Sequence, residues 1–194
     1  ALKPAKVLVV VGHGMDRIQE AFPQLDPSSW VFQAEQLGTG HAALCAIQTL
    51  GNFAGDLLVL NGDVPLVSRQ TLNGMLAGHR SEGRDLTLAV ATMANPFGYG
   101  RVLRRSGGDI VGVVEERDAT DTERGIREIN IGLYVASAAF LRAALGALNN
   151  DNDQGEYYLP NIIGYAAQQD AQIGSIAVDD DEPMPAPTAP PSSP

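Results

Sequence analysis

The feature that most constrains this chain is a rhythm in which short β-branched runs alternate with stretches long enough for helical crossovers. Residues 6–11 read KVLVVV and stop at Gly12-His13-Gly14, after which the spacing to residue 22 is helical. Further apolar runs of strand length stand at 30–32, 56–60, 86–93, 126–135 and 173–178. Between them, helix-like segments at 41–50, 68–79, 137–148 and 157–168 have lengths that suit crossovers joining parallel strands. The expected class is α/β, a mostly parallel mixed sheet flanked by helices. Residues 102–114 depart from the rhythm: RVLRR, the pair Gly107-Gly108 and DIVGVVEE predict two strands around a hairpin turn, an antiparallel insertion or edge.

At 194 residues, with 44% hydrophobic content, the chain has enough apolar surface for one cored domain, assigned to 1–178. From residue 179 it turns to DDDEPMPAPTAPPSSP, whose acidic residues and prolines offer too little apolar surface to offset the entropy of ordering; 179–194 is expected to be a disordered tail. A net charge of −10 sets the protein's field against nucleic acid and anionic membranes, so neither is an expected partner, and a small anion needs a locally built site. The single cysteine, Cys45, rules out an internal disulfide framework, and no apolar run approaches the roughly 20 residues that span a bilayer. A cytoplasmic setting is expected. With no initiating Met, the chain is expected to begin inside a longer reading frame or to have been processed.

Three loops could carry chemistry. DLLVLNGDVPL, 56–66, runs an apolar strand into Gly62-Asp63, placing Asp63 at a carboxyl strand end, where ligands of parallel sheets gather and a carboxylate can hold Mg²⁺ against phosphate. The alternative is that Asp63 caps a helix or closes a turn. QAEQLGTGHA, 33–42, follows a strand and opens a helix; Gly38 and Gly40 let backbone approach a base or phosphate, or the segment is a plain turn with Thr39 as N-cap. NPFGYGRV, 95–102, flanks Tyr99 with Gly98 and Gly100 ahead of the hairpin, as ligand-closing loops or simple turns do. Glu115 and Asn130 are polar residues at or inside apolar strands, so each needs a partner, either a hydroxyl-rich ligand or a structural hydrogen bond. His41 reads as a surface or packing residue, Cys45 as core, and the three histidines lack zinc-ligand spacing.

Taken in order, QAEQLGTGHA, GDVPL, PFGYGRV, VVEERDAT, REINIG and NNDNDQGEYYLPNII resemble the uridyltransferase domain of the bacterial bifunctional N-acetylglucosamine-1-phosphate uridyltransferase and glucosamine-1-phosphate acetyltransferase, over about residues 5–178. The resemblance implies a Rossmann-like nucleotide-diphospho-sugar transferase domain that uses Mg²⁺ to join UTP and N-acetylglucosamine 1-phosphate into UDP-N-acetylglucosamine, a cell-wall and lipopolysaccharide precursor, with a homo-oligomer as the possible form of the intact family protein. By position, it implies that Gln33, Gly38 and Thr39 meet the nucleotide, that Gly100, Glu115 and Asn130 meet the sugar, and that Asp63 ligates Mg²⁺.

The sequence also departs from that family. Nothing before Lys6 matches its first strand and glycine-rich LAAGxGTRM phosphate loop, no GVNNR-like segment supplies its second metal-binding Asn, and Ile131 stands where Thr usually follows the Asn. The hexapeptide-repeat acetyltransferase half has no counterpart, so acetyl transfer is not expected of these residues. The expectation is a fragment with little uridyltransferase activity alone; the alternative is a non-catalytic sugar-nucleotide binder or a partner subunit.

Overall fold

The computed structural model describes residues 2–62, 64 and 67–178. Asp63 and the segment 179–194, for which a metal role and disorder are the respective expectations, lie outside the described residues. In chain order the elements are β1 (Val9–Val11), α1 (Met15–Ala21), β2 (Trp30–Phe32), α2 (Thr39–Thr49), β3 (Asp56–Leu60), α3 (Arg69–Ser81), β4 (Leu86–Thr92), β5 (Arg101–Arg104), β6 (Ile110–Val114), α4 (Asp121–Arg124), β7 (Glu128–Ser137), α5 (Ala138–Gly146), α6 (Asn161–Gln168) and β8 (Ile173–Ala177). Local chemistry sets several boundaries. The Ser68 side chain accepts from the Thr71 amide to open α3, Ser137 does the same for Phe140 in α5, and Thr120 with Glu123 closes a reciprocal capping box on α4.

The main sheet runs β6-β5-β7-β4-β8, with β3 also paired to β7. Strands β3, β4, β5 and β8 share one direction and β6 and β7 oppose it, as the pairings require. The expected mixed sheet with a parallel majority is met in strand direction; direct parallel pairing within this sheet is confined to β4–β8, because the antiparallel β7 lies between β3 and β4. The antiparallel excursion expected at 102–114 is the β5–β6 hairpin. A second, two-stranded parallel sheet joins β1 and β2. Among the described residues β1 pairs only with β2 and β3 only with β7, so each has one edge without a neighbouring strand.

Alternation along the central strands divides the core. Leu86, Leu88 and Val90 of β4, with Tyr134 and Ala136 of β7, pack toward α2, α5 and α6 through Ile47, Leu141, Ile162 and Ile163. Ala89, Ala91, Ile129, Ile131, Leu133 and Val135 face the other way and meet Met75 of α3. Full burial of Leu86 and Leu88 stabilises the fold by roughly 1.5–3 kcal/mol each.

The long strand β7 is not uniform. Leu88 pairs with Tyr134 and Val90 with Asn130, so two steps along β4 answer four along β7. The excess is taken up at Gly132, whose φ of 86° puts it in the left-handed region. Its carbonyl accepts the Asn61 amide at 3.2 Å, tying the end of β3 to the bulge.

Candidate functional site

Three of the residues expected to meet a sugar converge where β5 begins, β6 ends and β7 bulges. The Gly100 carbonyl accepts the Asn130 amide at 2.9 Å. A Cβ on Gly100 would stand 3.1 Å from Glu115 Oε1 and 2.8 Å from Val113 Cγ1, so the Glu115 carboxylate lies directly against the glycine. Burial pushes the Glu115 carboxyl above its ordinary value, the neighbouring Asp118 adds to the rise, and Arg101 opposes it. Asn130 is buried, and its Nδ2 donates to the Tyr134 hydroxyl at 2.6 Å while its Oδ1 accepts the Gly132 amide at 3.3 Å. The structural partner that a polar residue inside this strand requires is therefore present, and the same bonds fix the side chain inside the bulge.

The nucleotide-side candidates form a second loop. Gln33 is buried just beyond β2, and its Nε2 lies 3.1 Å from the Gly38 carbonyl oxygen, to which it donates, and 3.0 Å from His41 Nδ1. His41 also reaches Cys45 Sγ at 3.8 Å, so it is an internal brace of α2 and the loop. Gly38 itself is the N-cap of α2, with φ 99° and ψ 178° and no side-chain cap. Thr39, an N-cap in the turn reading, is instead the first helical residue, and its Oγ1 accepts the Leu159 amide at 3.0 Å. Beside it the Tyr157 amide donates to the Leu37 carbonyl at 2.8 Å, and the Gly40 amide to the Tyr157 carbonyl at 2.6 Å. These bonds explain why α6 begins at Asn161 rather than at 157: the Tyr157 backbone is already paired to the loop.

The segment that clamps the nucleotide-side loop also reaches the sugar side. The Asp153 amide donates to Asp118 Oδ1 at 3.2 Å, three residues beyond Glu115. The two candidate half-sites are thus joined through 153–159. Asp63 lies outside the described residues; its described neighbour Asn61 is anchored to Gly132, two residues from Asn130. Among the described residues no group of three His, Cys, Asp or Glu side chains could cage a metal ion. Mg²⁺ commonly takes one or two carboxylates together with substrate phosphates, so a site resting on Asp63 and a nucleotide asks for no such cage.

Two features went unnoticed in the sequence. Arg101, buried at the first position of β5, pairs with Glu116 at 2.5 Å and donates to the Tyr99 carbonyl. Glu116 also accepts the Gly98 amide at 3.1 Å and lies 3.6 Å from Arg124. Burial pushes the Glu116 carboxyl up, but Arg101, the Gly98 amide and Arg124 together outweigh it and hold it below its ordinary value. This ion pair locks the Gly98–Gly100 turn against the residue following Glu115. An arginine inside GYGRV, heading an apolar strand, was the available signal. The second is the Tyr157 clamp, whose residues belong to a motif already noted but whose partner lies over a hundred positions away.

A family model described as MobA-like NTP transferase domain matches residues 1–156. Among curated proteins, the bifunctional protein GlmU of Pelobacter propionicus is 44% identical over 178 residues, covering 92% of this chain and 39% of that protein. GlmU of Geobacter metallireducens is 47% identical over 165 residues, covering 85% and 35%. The chain thus spans well under half the length of these relatives. The fold is similar to that of a UDP-glucose pyrophosphorylase solved with UDP-glucose, with a TM-score of 0.66 at 16% identity over 87% of this chain and 72% of that one. The resemblance read from the six ordered motifs is borne out, and no helix of the described residues is long and apolar enough to cross a membrane. With a mixed α/β sheet and a family match over residues 1–156, the chain belongs to the MobA-like NTP transferase domain family.

Proposed function

We propose that this chain is the sugar-nucleotide-forming part of a GlmU-like protein, transferring UMP from UTP to N-acetylglucosamine 1-phosphate. In the reaction a phosphate oxygen of the sugar phosphate bonds to the α-phosphorus of UTP in line with the bond that breaks, and pyrophosphate leaves. Such transfers depend on positioning and charge neutralisation more than on covalent help from protein. The observation that supports this reading best is the convergence of Gly100, Glu115 and Asn130, an arrangement with a half-buried carboxylate as acceptor for a sugar hydroxyl. Gln33, Gly38 and Thr39 are assigned to the nucleotide, on a loop braced from both sides.

Asp63 is assigned to Mg²⁺, which would neutralise phosphate charge that this acidic chain does little to offset. The protein's own contribution is orientation: the Arg101–Glu116 pair sets the turn carrying Gly100, and the Tyr157 clamp sets the loop carrying Gly38. A cytoplasmic setting suits these substrates.

The test is titration calorimetry of the purified chain with UDP-N-acetylglucosamine, with and without Mg²⁺ and with Asp63→Ala, beside a turnover assay with radiolabelled UTP. Binding strengthened by Mg²⁺ and lost in Asp63→Ala is expected, with turnover more than tenfold below that of an intact relative. Binding with no turnover assigns the chain as a sugar-nucleotide binder or partner subunit. A folded chain that binds neither UDP-N-acetylglucosamine nor UTP overturns the reading.

A further inference from the structure

The bulge in β7 decides which side chain Asn130 can reach. Four steps along a regular strand separate two side chains by about 13 Å. Asn130 and Tyr134 are four steps apart on β7, yet they stand opposite Val90 and Leu88, which are two steps apart on β4. Taking up two residues around Gly132 keeps both side chains on one face of the sheet and cuts their spacing along it to about 7 Å. The Tyr134 hydroxyl therefore comes within 2.6 Å of Asn130 Nδ2.

The two side-chain bonds of Asn130 are unequal. Oδ1 accepts the Gly132 amide at 3.3 Å, while Nδ2 donates to the phenol at 2.6 Å. The longer bond settles the polarity of the amide, since turning it over would set a donor against the Gly132 N–H. The shorter one fixes its plane, because Tyr134 has no exposed surface and its ring is packed in the same core cluster as Leu86, Leu88 and Val90. An asparagine amide offers two donors and two acceptor lone pairs. After these bonds one N–H and one lone pair of Asn130 remain without a partner among the described residues, on a residue that is 9% exposed. The buried phenol thus governs how the free edge of the amide is presented beside Gly100, whose carbonyl holds the Asn130 backbone.

We propose that Tyr134 is a positioning residue of the sugar half-site, which touches no ligand and acts through Asn130 by holding its amide in the orientation that meets the sugar. The inference rests on the sugar-nucleotide reading above, in which Asn130 is a sugar contact. A core hydrogen bond that served stability alone would weaken the fold when lost without favouring one ligand over another.

Tyr134→Phe removes the hydroxyl and keeps the ring. Wild type, this variant, Asn130→Ala and the double variant are titrated with UDP-N-acetylglucosamine and with UDP, and thermal melts establish that each chain is folded. Expected for Tyr134→Phe are a loss of about three- to tenfold in UDP-N-acetylglucosamine affinity and UDP affinity within twofold of wild type. In the Asn130→Ala background the same substitution should change UDP-N-acetylglucosamine affinity by less than about twofold, because the group through which Tyr134 acts is gone. Unchanged UDP-N-acetylglucosamine affinity in folded Tyr134→Phe overturns this proposal and leaves the site reading intact. Equal losses for both ligands, or the full loss repeated in the Asn130→Ala background, overturn it as well. Should Tyr134→Phe not fold, NMR of the free wild-type chain decides: one Asn130 side-chain amide proton should exchange with water more slowly than the other, and equal exchange of the two overturns the proposal. A folded wild-type chain that does not bind UDP-N-acetylglucosamine overturns the site reading and this proposal together.

Discussion

Replacing Gly38 by alanine tests the clamp between the nucleotide-side loop and the 156–159 segment. At φ 99° and ψ 178° the residue occupies a region open in practice to glycine alone, and holding another residue there costs about 1–3 kcal/mol. A Cβ would also stand 2.8 Å from the Tyr157 carbonyl oxygen and 2.9 Å from Glu156 Cβ, so the two strands of the clamp must separate. Separation loses the Tyr157-to-Leu37 and Gly40-to-Tyr157 backbone bonds, about 1 kcal/mol each. Gly38→Ala is therefore expected to cost about 3–5 kcal/mol, a large share of the roughly 5–15 kcal/mol that holds an ordinary domain. Urea denaturation measures it, with Gly14→Ala as the control: Gly14 has φ 80° but nothing within 4 Å of its would-be Cβ, so only the backbone term of about 1–2 kcal/mol applies. UDP affinity should fall at least tenfold in Gly38→Ala and stay level in Gly14→Ala. Equal urea midpoints for the two variants, with wild-type UDP binding in both, would refute the clamp.

Arg101→Met leaves partly exposed Glu116 with the Gly98 amide and Arg124 as partners and should cost less than the roughly 3–5 kcal/mol of a broken fully buried pair; Arg101→Met with Glu116→Gln should recover part of it, and strictly additive losses in denaturation would count against coupling. Glu115 has a folded pKa above its ordinary 4.5, so the stability associated with it is present below that pH and lost as pH rises through the folded value. Glu115→Gln should accordingly melt a few degrees higher than wild type at pH 7.5 by calorimetry while binding UDP-N-acetylglucosamine more weakly. Burial holds His79 below its ordinary 6.5 against the pull of Asp56, so the unfolded chain takes a proton that the folded one refuses, and stability declines as pH falls from 6.5 toward the folded value. His79→Gln, which can keep the bond now made to Thr87, should flatten that decline in melts between pH 7 and 5.

The secondary elements were legible where a local pattern decides them. The apolar runs at 56–60 and 173–178 became β3 and β8 within a residue, and Ser68 and Ser137 open helices as their side chains dictate. What escaped was set by distant neighbours. The helix read from Tyr157 loses its first turn because Leu37 and Gly40 claim that backbone, and the antiparallel β7 enters the sheet between two co-directional strands, an order that no local spacing encodes. Among the site candidates, Glu115 and Asn130 were visible as polar residues without an apolar excuse. The bulge that explains Asn130's buried position depends on register against β4, and Arg101 was hidden by its surface-like chemistry.

The bond from the Leu159 amide to Thr39 joins residues 120 positions apart. During synthesis at about 5–20 residues per second, that separation corresponds to roughly 6–24 s in which Thr39 exists and its partner does not. The early part of the chain can form α2 in that interval, but the loop ahead of the helix is held only by its local bonds from Gln33 to Gly38 and His41. The 33–42 loop therefore gains its long-range brace abruptly and late, when Leu159 has been added.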